Sequence, residues 1–179
     1  MSSLITAYIG VGTNLGDRIQ NLIDARQQLC DLPQVEKLKS SSFYLSSPVG
    51  YLQQPDFINC VLELTLTIEP QSKSELSSQL LFSQMQKIEL GLGRVRDSRN
   101  QNAARIIDLD LLSFGDWQSD EPSLILPHPR ICERLFVLLP LLELNPDVTL
   151  PQVGCLHALL SKKQLLGDFG VQKIYRLGF

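Results

Sequence analysis

Two aspartates stand two residues apart in the segment Arg105-Ile-Ile-Asp108-Leu-Asp110. Side chains alternate along an extended strand, so Asp108 and Asp110 are expected on one face, with their Cα atoms about 6.5–7 Å apart. Two carboxylates held this close repel each other unless a cation lies between them. Mg²⁺ suits that position because it binds one or two carboxylates together with phosphate oxygens. The pair therefore predicts a magnesium site, and a solvent-facing strand with two surface aspartates is the alternative.

Four arginines crowd into the stretch that leads to these carboxylates: Arg94, Arg96, Arg99 and Arg105. The planar guanidinium fork matches phosphate oxygens, and it stabilises the charge that spreads during phosphoryl transfer. Carboxylate-bound Mg²⁺ beside arginines is the set of groups that this transfer needs, because its catalysis is mostly positioning and electrostatics. An exposed basic loop paired with nearby acids is the alternative interpretation.

Two further features are weaker when each is taken alone. His128 lies between two prolines, with Arg134 six residues later, and a histidine in so stiff a turn is more often an ordinary hydrogen-bonded loop residue. Phe57 and Asn59 share the face of the segment Phe57–Ile68 that lies opposite its apolar residues. A solvent-side aromatic next to an amide suits a flat, polar heterocycle, although an ordinary cross-strand aromatic is the simpler explanation.

A glycine-rich turn, Gly10-x-Gly12-Thr-Asn14-Leu-Gly16, lies between a predicted strand and a predicted helix. It superficially resembles the dinucleotide fingerprint of nicotinamide-dependent oxidoreductases. The third glycine comes one residue late, and the next extended segment has no acidic residue near its end to hold a ribose. The motif is therefore weak evidence for such an oxidoreductase.

Hydrophobic periodicity places these residues on a small α+β sheet. The predicted order is β-α-β-β-α-β, the ferredoxin-like pattern of a sheet with helices on one face, followed by a C-terminal extension of helix and strand. Asp17 is expected to cap the first helix, and Ser72 with Glu75 to form a capping box for the second. A third helix is expected near Pro129, with a break or kink at Pro140. The predicted strands cover residues 4–11, 35–46, 57–68, 106–114 and 171–177, with a short helix around 156–161 and long loops at 46–56 and 91–104.

The bulk composition sets further limits. With 179 residues, 44% of them hydrophobic and 20% charged, the chain is expected to form one domain over residues 1–179. The net charge of −3 argues against a nucleic-acid partner. No apolar run reaches the roughly 18 residues that span a membrane, and the N-terminus is a poor signal peptide, so a cytoplasmic location without a membrane partner is expected. The cysteines form no C-x-x-C pair and predict neither zinc nor disulfides.

Taken together, these segments resemble the 6-hydroxymethyl-7,8-dihydropterin pyrophosphokinase family. The resemblance extends from Ala7 to about Leu150, and its fold agrees with the predicted strand order. Any one motif is modest, but their ordered combination is specific. The motifs are Gly12-Thr-Asn14-Leu, Ser42-Phe-Tyr44, Gln54-Pro-Asp-Phe57-Ile-Asn59, Gln86-Lys-Ile-Glu89, Gly93-Arg94-Val-Arg96, Arg105-Ile-Ile-Asp108-Leu-Asp110, Pro127-His128-Pro129 and Arg134-Leu-Phe136.

The resemblance implies a transfer of pyrophosphate from ATP to the pterin hydroxymethyl group, a step of folate biosynthesis. Asp108 and Asp110 would hold two Mg²⁺ ions, and one ion would also make the substrate hydroxyl a better nucleophile. Attack on the β-phosphorus would release AMP, with Arg94 and Arg105 stabilising the group in transfer. The residues implied to bind ATP are Gln86, Glu89, Arg96, Arg99, Leu111, His128 and Arg134.

The resemblance also implies a pterin site. Phe57 and Phe136 would sandwich the ring, and Asn59 would bind its edge. The remaining residues implied here are Asn14, Ser46, Ser47 and Val49.

Two departures from the family pattern concern the loop 91–104, which lacks the tryptophan of some members and ends in Ala104 where many have proline. A non-catalytic module that binds pterin or nucleotide on the same fold is the alternative function. The expected partners are the two small-molecule substrates. The sequence leaves the oligomeric state open, with a monomer as one option.

Overall fold

The computed structural model describes residues 3–69, 74–95, 103–166 and 172–178. The helices are α1 (Arg18–Cys30), α2 (Ser74–Gly91), α3 (Leu135–Leu144) and α4 (Leu156–Leu166). The strands are β1 (Ser3–Thr13), β2 (Val35–Ser40), β3 (Tyr44–Ser46), β4 (Phe57–Ile68), β5 (Asp108–Phe114), β6 (Ser119–Glu121), β7 (Leu124–Leu126), β8 (Thr149–Leu150), β9 (Gly154–Cys155) and β10 (Ile174–Arg176).

The main sheet is antiparallel and has β1 and β4 at its centre. β5 pairs with the outer edge of β1, and both β2 and β3 pair with β4. β10 then adds to β3. This arrangement confirms the predicted ferredoxin-like order. The segment 35–46 was expected as one extended stretch, and residues 41–43 divide it into two strands that follow different parts of β4.

Helices cover both faces of the sheet. α1 and α2 pack on the face that carries the alternating apolar residues of β4, in a cluster that includes Leu62, Leu64 and Phe114. The C-terminal helices α3 and α4 pack on the other face, against Tyr8 and Val61. The C-terminal extension therefore supplies a second apolar layer. In the described part of the chain, no helix has both the length and the apolar character of a membrane span.

The predicted cap of the first helix is confirmed. Asp17 caps α1, and its carboxylate accepts a hydrogen bond from the Gln20 backbone N–H at 3.1 Å. α2 ends at Gly91, and Gly93 follows in the left-handed region at φ 92°, where glycine has no steric penalty. The predicted capping box includes Ser72, which lies outside the described residues.

The prediction for the third helix was wrong at its start. The chain forms only a short 3-10 turn at Ile131–Glu133, and α3 begins at Leu135. The backbone N–H of His128 donates to Leu112 O at 2.8 Å, which ties this turn to β5. Pro140 lies inside α3 without ending it. A proline in the interior of a helix removes one backbone hydrogen bond. Pro140 is buried in the core, and α3 continues past it to Leu144.

Glu143, near the end of α3, ties that helix to β3 and β10. Its carboxylate accepts hydrogen bonds from the Ser42 N–H at 3.1 Å and the Tyr44 hydroxyl at 2.8 Å, and it pairs with Arg176 at 3.1 Å. Partial burial raises the pKa of Glu143, but these hydrogen bonds and the charge of Arg176 outweigh it, so the pKa lies below its ordinary value. The charged carboxylate therefore stabilises the fold.

We expect Glu143→Gln to lower the stability at pH 7 by about 1 kcal/mol, because a part-exposed charged acceptor is lost. The folded-state pKa is depressed, so this contribution is complete above the ordinary value of 4.5 and disappears as the pH falls through the lower folded-state pKa. Thermal unfolding of wild type, Glu143→Gln and the exposed control Glu121→Gln from pH 3 to pH 8 measures it. A difference in Tm that does not change with pH would contradict this account.

Candidate active site

One cleft at the end of the sheet collects most of the predicted site residues. It lies where β1, β4 and β5 run side by side, beneath the start of α3. Asp108 and Asp110 both line it, while Leu109 between them is buried, as strand alternation predicts. The other predicted residues that line it are Arg105, Arg134, Ser46, Ser47, Val49, Phe57, Asn59 and Phe136.

The register of the strands places the residues at the two ends of this cleft on the same face of the sheet, which forms the floor of the cleft. Gly12 of β1 lies opposite Asn59 of β4 on one side and opposite Asp108 of β5 on the other. Neighbouring strands are about 4.8 Å apart, so the amide and the carboxylate are about 10 Å apart across the sheet. Gly10 lies opposite Asp110 in the same way. Because glycine has no side chain, Gly10 and Gly12 leave the floor of the cleft open between the amide of Asn59 at one end and the two carboxylates at the other.

Three arginines converge on the carboxylate pair from separate parts of the chain. Arg94, after α2, donates to Asp108 Oδ1 at 2.5 Å, and Arg105 lies 3.0 Å from Asp108 Oδ2. Arg134, at the start of α3, donates to Asp110 Oδ2 at 2.7 Å. The aspartate side chains keep 20% and 30% of their surface exposed. They are therefore accessible from the cleft while held by arginines.

Electrostatics favour additional positive charge at this position. Burial raises the pKa of Asp108, the charge of Asp110 raises it further, and Arg105 and Arg94 lower it, with a net increase above the ordinary value. Burial lowers the pKa of Arg94, but the charges of Asp108 and Glu89 raise it above its ordinary value. The arginines thus do not fully compensate the burial of Asp108 and its repulsion by Asp110.

Glu89 lies behind the carboxylate pair, not in the main cleft. Its side chain is 2% exposed, and its carboxylate accepts a hydrogen bond from the Leu109 N–H at 2.7 Å and pairs with Arg94. Gln86, Glu89 and Arg94 line a second, open cleft. The Leu111 side chain is buried in the core against α1 and α2. Of these predicted nucleotide-side residues, Glu89 therefore holds Arg94, and the buried Leu111 does not line the main cleft.

His128 is held in one orientation at the edge of the site. Its Nδ1 accepts a hydrogen bond from the Arg130 N–H at 3.1 Å, so the neutral ring carries its hydrogen on Nε2. Burial lowers the pKa of His128, and the charge of Asp110 opposes this only partly. The imidazole is therefore neutral at pH 7, with Nε2–H as a hydrogen-bond donor.

The other end of the cleft presents an amide and two aromatic rings. Asn59 is buried, and its Nδ2 donates to Ser46 Oγ at 2.9 Å and more weakly to Tyr44 O at 3.4 Å. The rings of Phe57 and Phe136 lie beneath Arg105 and Arg134, respectively, each 5.7 Å from ring centre to guanidinium carbon. These cation–π contacts connect the aromatic end to the carboxylate end.

Asn14 supports the wall of the cleft without lining it. Its Oδ1 accepts a hydrogen bond from the Arg105 N–H at 2.7 Å, and its Nδ2 donates to Gln54 Oε1 and Pro55 O, both at 3.1 Å. The residue thereby joins the Arg105 segment to the loop that precedes β4. Arg96 and Arg99 lie outside the described residues.

Seven lining residues were not predicted as site residues: Gly10, Val11, Gly12, Gln54, Cys60, Arg130 and Val137. Gly10 and Gly12 have the same two-residue spacing as the aspartates that they face, which was the available signal. In the sequence, the two glycines predict a turn because they precede a predicted helix. In the structure, β1 continues through both glycines to Thr13. Arg130 follows the proline-flanked histidine, and the sequence alone offered no signal for it.

Comparison with known proteins gives concordant results. The family 7,8-dihydro-6-hydroxymethylpterin-pyrophosphokinase (HPPK) matches residues 8–146. A 2-amino-4-hydroxy-6-hydroxymethyldihydropteridine pyrophosphokinase of Haemophilus influenzae is 36% identical over 159 residues, which are 89% of this chain and 93% of that protein. The folic acid synthesis protein fol1 of Pneumocystis carinii is 39% identical over 147 residues, but these are 82% of this chain and only 18% of that protein.

A solved structure shows the same fold. Wild-type Plasmodium falciparum HPPK-DHPS, crystallised with pterin and p-hydroxybenzoate, superposes with a TM-score of 0.62 over 97% of this chain and 45% of that chain, at 15% identity. The fold and the cleft therefore define a ferredoxin-like α+β protein of the HPPK-domain type. The chain belongs to the 7,8-dihydro-6-hydroxymethylpterin-pyrophosphokinase family.

Proposed function

We propose that residues 1–179 form one Mg²⁺-dependent pyrophosphokinase domain. It transfers the β- and γ-phosphoryl groups of ATP together to 6-hydroxymethyl-7,8-dihydropterin in folate biosynthesis. The observation that carries the proposal is that one cleft has paired carboxylates and arginines at one end and an amide with two aromatic rings at the other. One end suits phosphate chemistry and the other a flat, polar heterocycle.

The carboxylate end fits Mg²⁺ that arrives with ATP. Among the described residues, no group of three histidine, cysteine or acidic side chains could hold a metal. Mg²⁺ usually takes only one or two carboxylates and completes its shell with water and phosphate oxygens, which Asp108 and Asp110 would allow for two ions. When bound, the metal neutralises phosphate charge and makes a coordinated hydroxyl more acidic.

Arg105 supplies a specific reason to expect a phosphate here. Its Nε is buried and has no hydrogen-bond partner within the part of the chain that the structure describes. A buried donor without a partner is costly, and a phosphate oxygen of ATP would satisfy it. Arg94 and Arg105 would stabilise the group in transfer. The remaining residues proposed for the nucleotide side are Gln86, Glu89 through Arg94, Arg96, Arg99, Leu111, His128 and Arg134.

In the transfer, the pterin hydroxyl oxygen forms a bond to the β-phosphorus as the hydroxyl proton is released. The bond from the β-phosphorus to the oxygen that bridges it to the α-phosphorus breaks, and AMP leaves with that oxygen. Phe57 and Phe136 hold the ring between them, and Asn59 hydrogen-bonds its edge. Ser46, Ser47 and Val49 complete the pterin site, and Asn14 supports it from behind.

Gly12 provides a test of the floor between the two ends. A Cβ added there would lie 3.0 Å from Asn59 Oδ1, so the amide must shift. Because a displaced hydrogen bond costs about 1 kcal/mol, we expect Gly12→Ala to raise the KM for the pterin about five- to tenfold, with a smaller effect on the KM for ATP. Steady-state kinetics measures both constants. In the control Gly178→Ala, the added Cβ meets nothing within 4 Å, and an unchanged pterin KM in Gly12→Ala would contradict the assignment.

Product analysis tests the proposed function as a whole. The protein is incubated with ATP, Mg²⁺ and 6-hydroxymethyl-7,8-dihydropterin, and the nucleotides are separated by chromatography. AMP formed only when pterin and metal are both present supports the proposal. ADP would mean transfer of a single phosphoryl group, and turnover that persists in a chelator would reject the metal. The absence of turnover would favour the non-catalytic binding module.

A further inference from the structure

We propose that Gln172, in the C-terminal segment outside the family match, is a positioning residue that fixes where α3 begins and thereby holds Arg134 and Phe136 in the cleft. The proposal rests on the proposed function for its kinetic consequence. Its structural basis is independent, because it concerns hydrogen bonds between the C-terminal segment and α3. The family match ends at residue 146.

α3 lacks a capping side chain of its own. Arg134 stands at the N-cap position and makes no side-chain capping hydrogen bond, although the first backbone N–H groups of a helix have no partner within it. The Leu135 N–H instead donates to Gln172 Oε1 at 3.1 Å, and Gln172 Nε2 donates to Glu133 O at 2.9 Å. One amide side chain thus binds the backbone on both sides of Arg134.

The residues held in this way are functional in the proposed site. Arg134 donates to Asp110 Oδ2 at 2.7 Å and lies over the Phe136 ring. Arg134 precedes the first helical residue, and Phe136 is the second. A shift in the start of α3 would therefore move a phosphate-side cation and a pterin-stacking ring together.

Gln172 is itself fixed by the chain that follows it. Lys173 O accepts a hydrogen bond from the Ser47 N–H at 3.0 Å, and the Lys173 N–H donates to Ser47 Oγ at 3.3 Å. β10 then pairs with β3. The C-terminal segment therefore joins two walls of the cleft: the start of α3 through the Gln172 side chain, and the loop with Ser47 through the Lys173 backbone.

The consequence is a specific kinetic signature. A substitution that only destabilises the protein lowers the active fraction and leaves KM unchanged. Release of α3 from its remote cap would instead displace the Phe136 ring, and displacements of about 1 Å can cost up to about 100-fold in rate. We expect Gln172→Met to raise the KM for the pterin roughly tenfold, because the variant keeps the side-chain length but loses both hydrogen bonds. This effect is smaller than the largest loss that a displacement of about 1 Å can cause.

The experiment compares Gln172→Met, Gln172→Glu and the control Lys173→Ala, which keeps the backbone bonds to Ser47. Steady-state kinetics gives kcat and both KM values, and hydrogen exchange followed by NMR gives the protection of the Leu135 amide. Gln172→Glu retains an acceptor for the Leu135 N–H, so its KM for the pterin should lie between those of wild type and Gln172→Met. Lys173→Ala should match wild type in both measurements.

The two readouts separate failure of this proposal from failure of the proposed function. Wild-type pterin KM together with unchanged Leu135 protection in Gln172→Met would overturn the positioning role. A loss of kcat alone, in proportion to a lower Tm, would overturn it too. If wild type showed no turnover but Leu135 lost protection in Gln172→Met, the remote cap would stand and the proposed reaction would fall.

Discussion

We expect Asp110→Ala to lower kcat for pyrophosphoryl transfer by at least about 10³-fold, at the upper end of what one electrostatic group contributes. Asp110 is the more exposed of the two carboxylates, with 30% of its side chain accessible against 20% for Asp108. Its loss removes one of two groups proposed to hold Mg²⁺ and releases Arg134. Asp110→Asn keeps the shape without the charge and should be nearly as inactive.

The fold should survive this substitution, because Asp108 is relieved of the neighbouring charge that raises its pKa. Arg134 also keeps its contact with Phe136. Thermal unfolding beside the kinetics checks this point. Asp120→Ala is the matched control, since Asp120 is exposed on β6 and does not line the cleft. An Asp110→Ala protein that kept most of its turnover would remove the basis for the metal assignment.

Arg105→Lys is expected to have the second largest effect, a fall in kcat of about 10²–10³-fold. Lysine keeps the charge but cannot present two donors in one plane. The change would lose the Nε donor that has no partner among the described residues and weaken the pairing with Asp108 at 3.0 Å. Asp108 still has Arg94 as a partner, so little loss of stability should accompany the effect.

The kinetic pattern distinguishes a role in transfer from a role in binding. A group that acts on the transferring phosphoryl lowers kcat and kcat/KM together. Single-turnover measurements on Arg105→Lys, with Arg26→Lys as an exposed control on α1, separate the chemical step from product release. If only the KM for ATP rose and the chemical rate stayed at the wild-type value, Arg105 would be a binding residue and its proposed part in transfer would be wrong.

The site features that the residue pattern predicted without the family resemblance are those set by local geometry. Asp108 and Asp110 share a face because alternation along a strand depends on neighbouring residues alone. The opposition of Gly12 to Asn59 and Asp108 depends instead on the register of strands separated by about 50 and 100 residues in the chain. That register is a tertiary property, so the glycines could not be placed at the floor of the cleft from their spacing.

The same distinction between local and tertiary determinants explains the errors in the predicted fold. The start of α1 was predicted because Asp17 caps it from the adjacent residue. The start of α3 was misplaced because its first N–H group is bound by Gln172, 37 residues further along the chain. β2 and β3 were merged because nothing local marks where each strand leaves β4. In this chain, the sequence therefore predicts a helix start where the capping residue is adjacent, and it does not predict one where the capping residue is remote.

The most direct test of the central claim, attack on the β-phosphorus, uses ATP with oxygen-18 in the bridge between the α- and β-phosphorus atoms. After turnover with Mg²⁺ and 6-hydroxymethyl-7,8-dihydropterin, mass spectrometry locates the label. If the pterin hydroxyl attacks the β-phosphorus, the bridging oxygen leaves with AMP, and all of the label is found there. Label in the diphosphate product would mean that the bond to the α-phosphorus breaks, and it would contradict the proposed transfer.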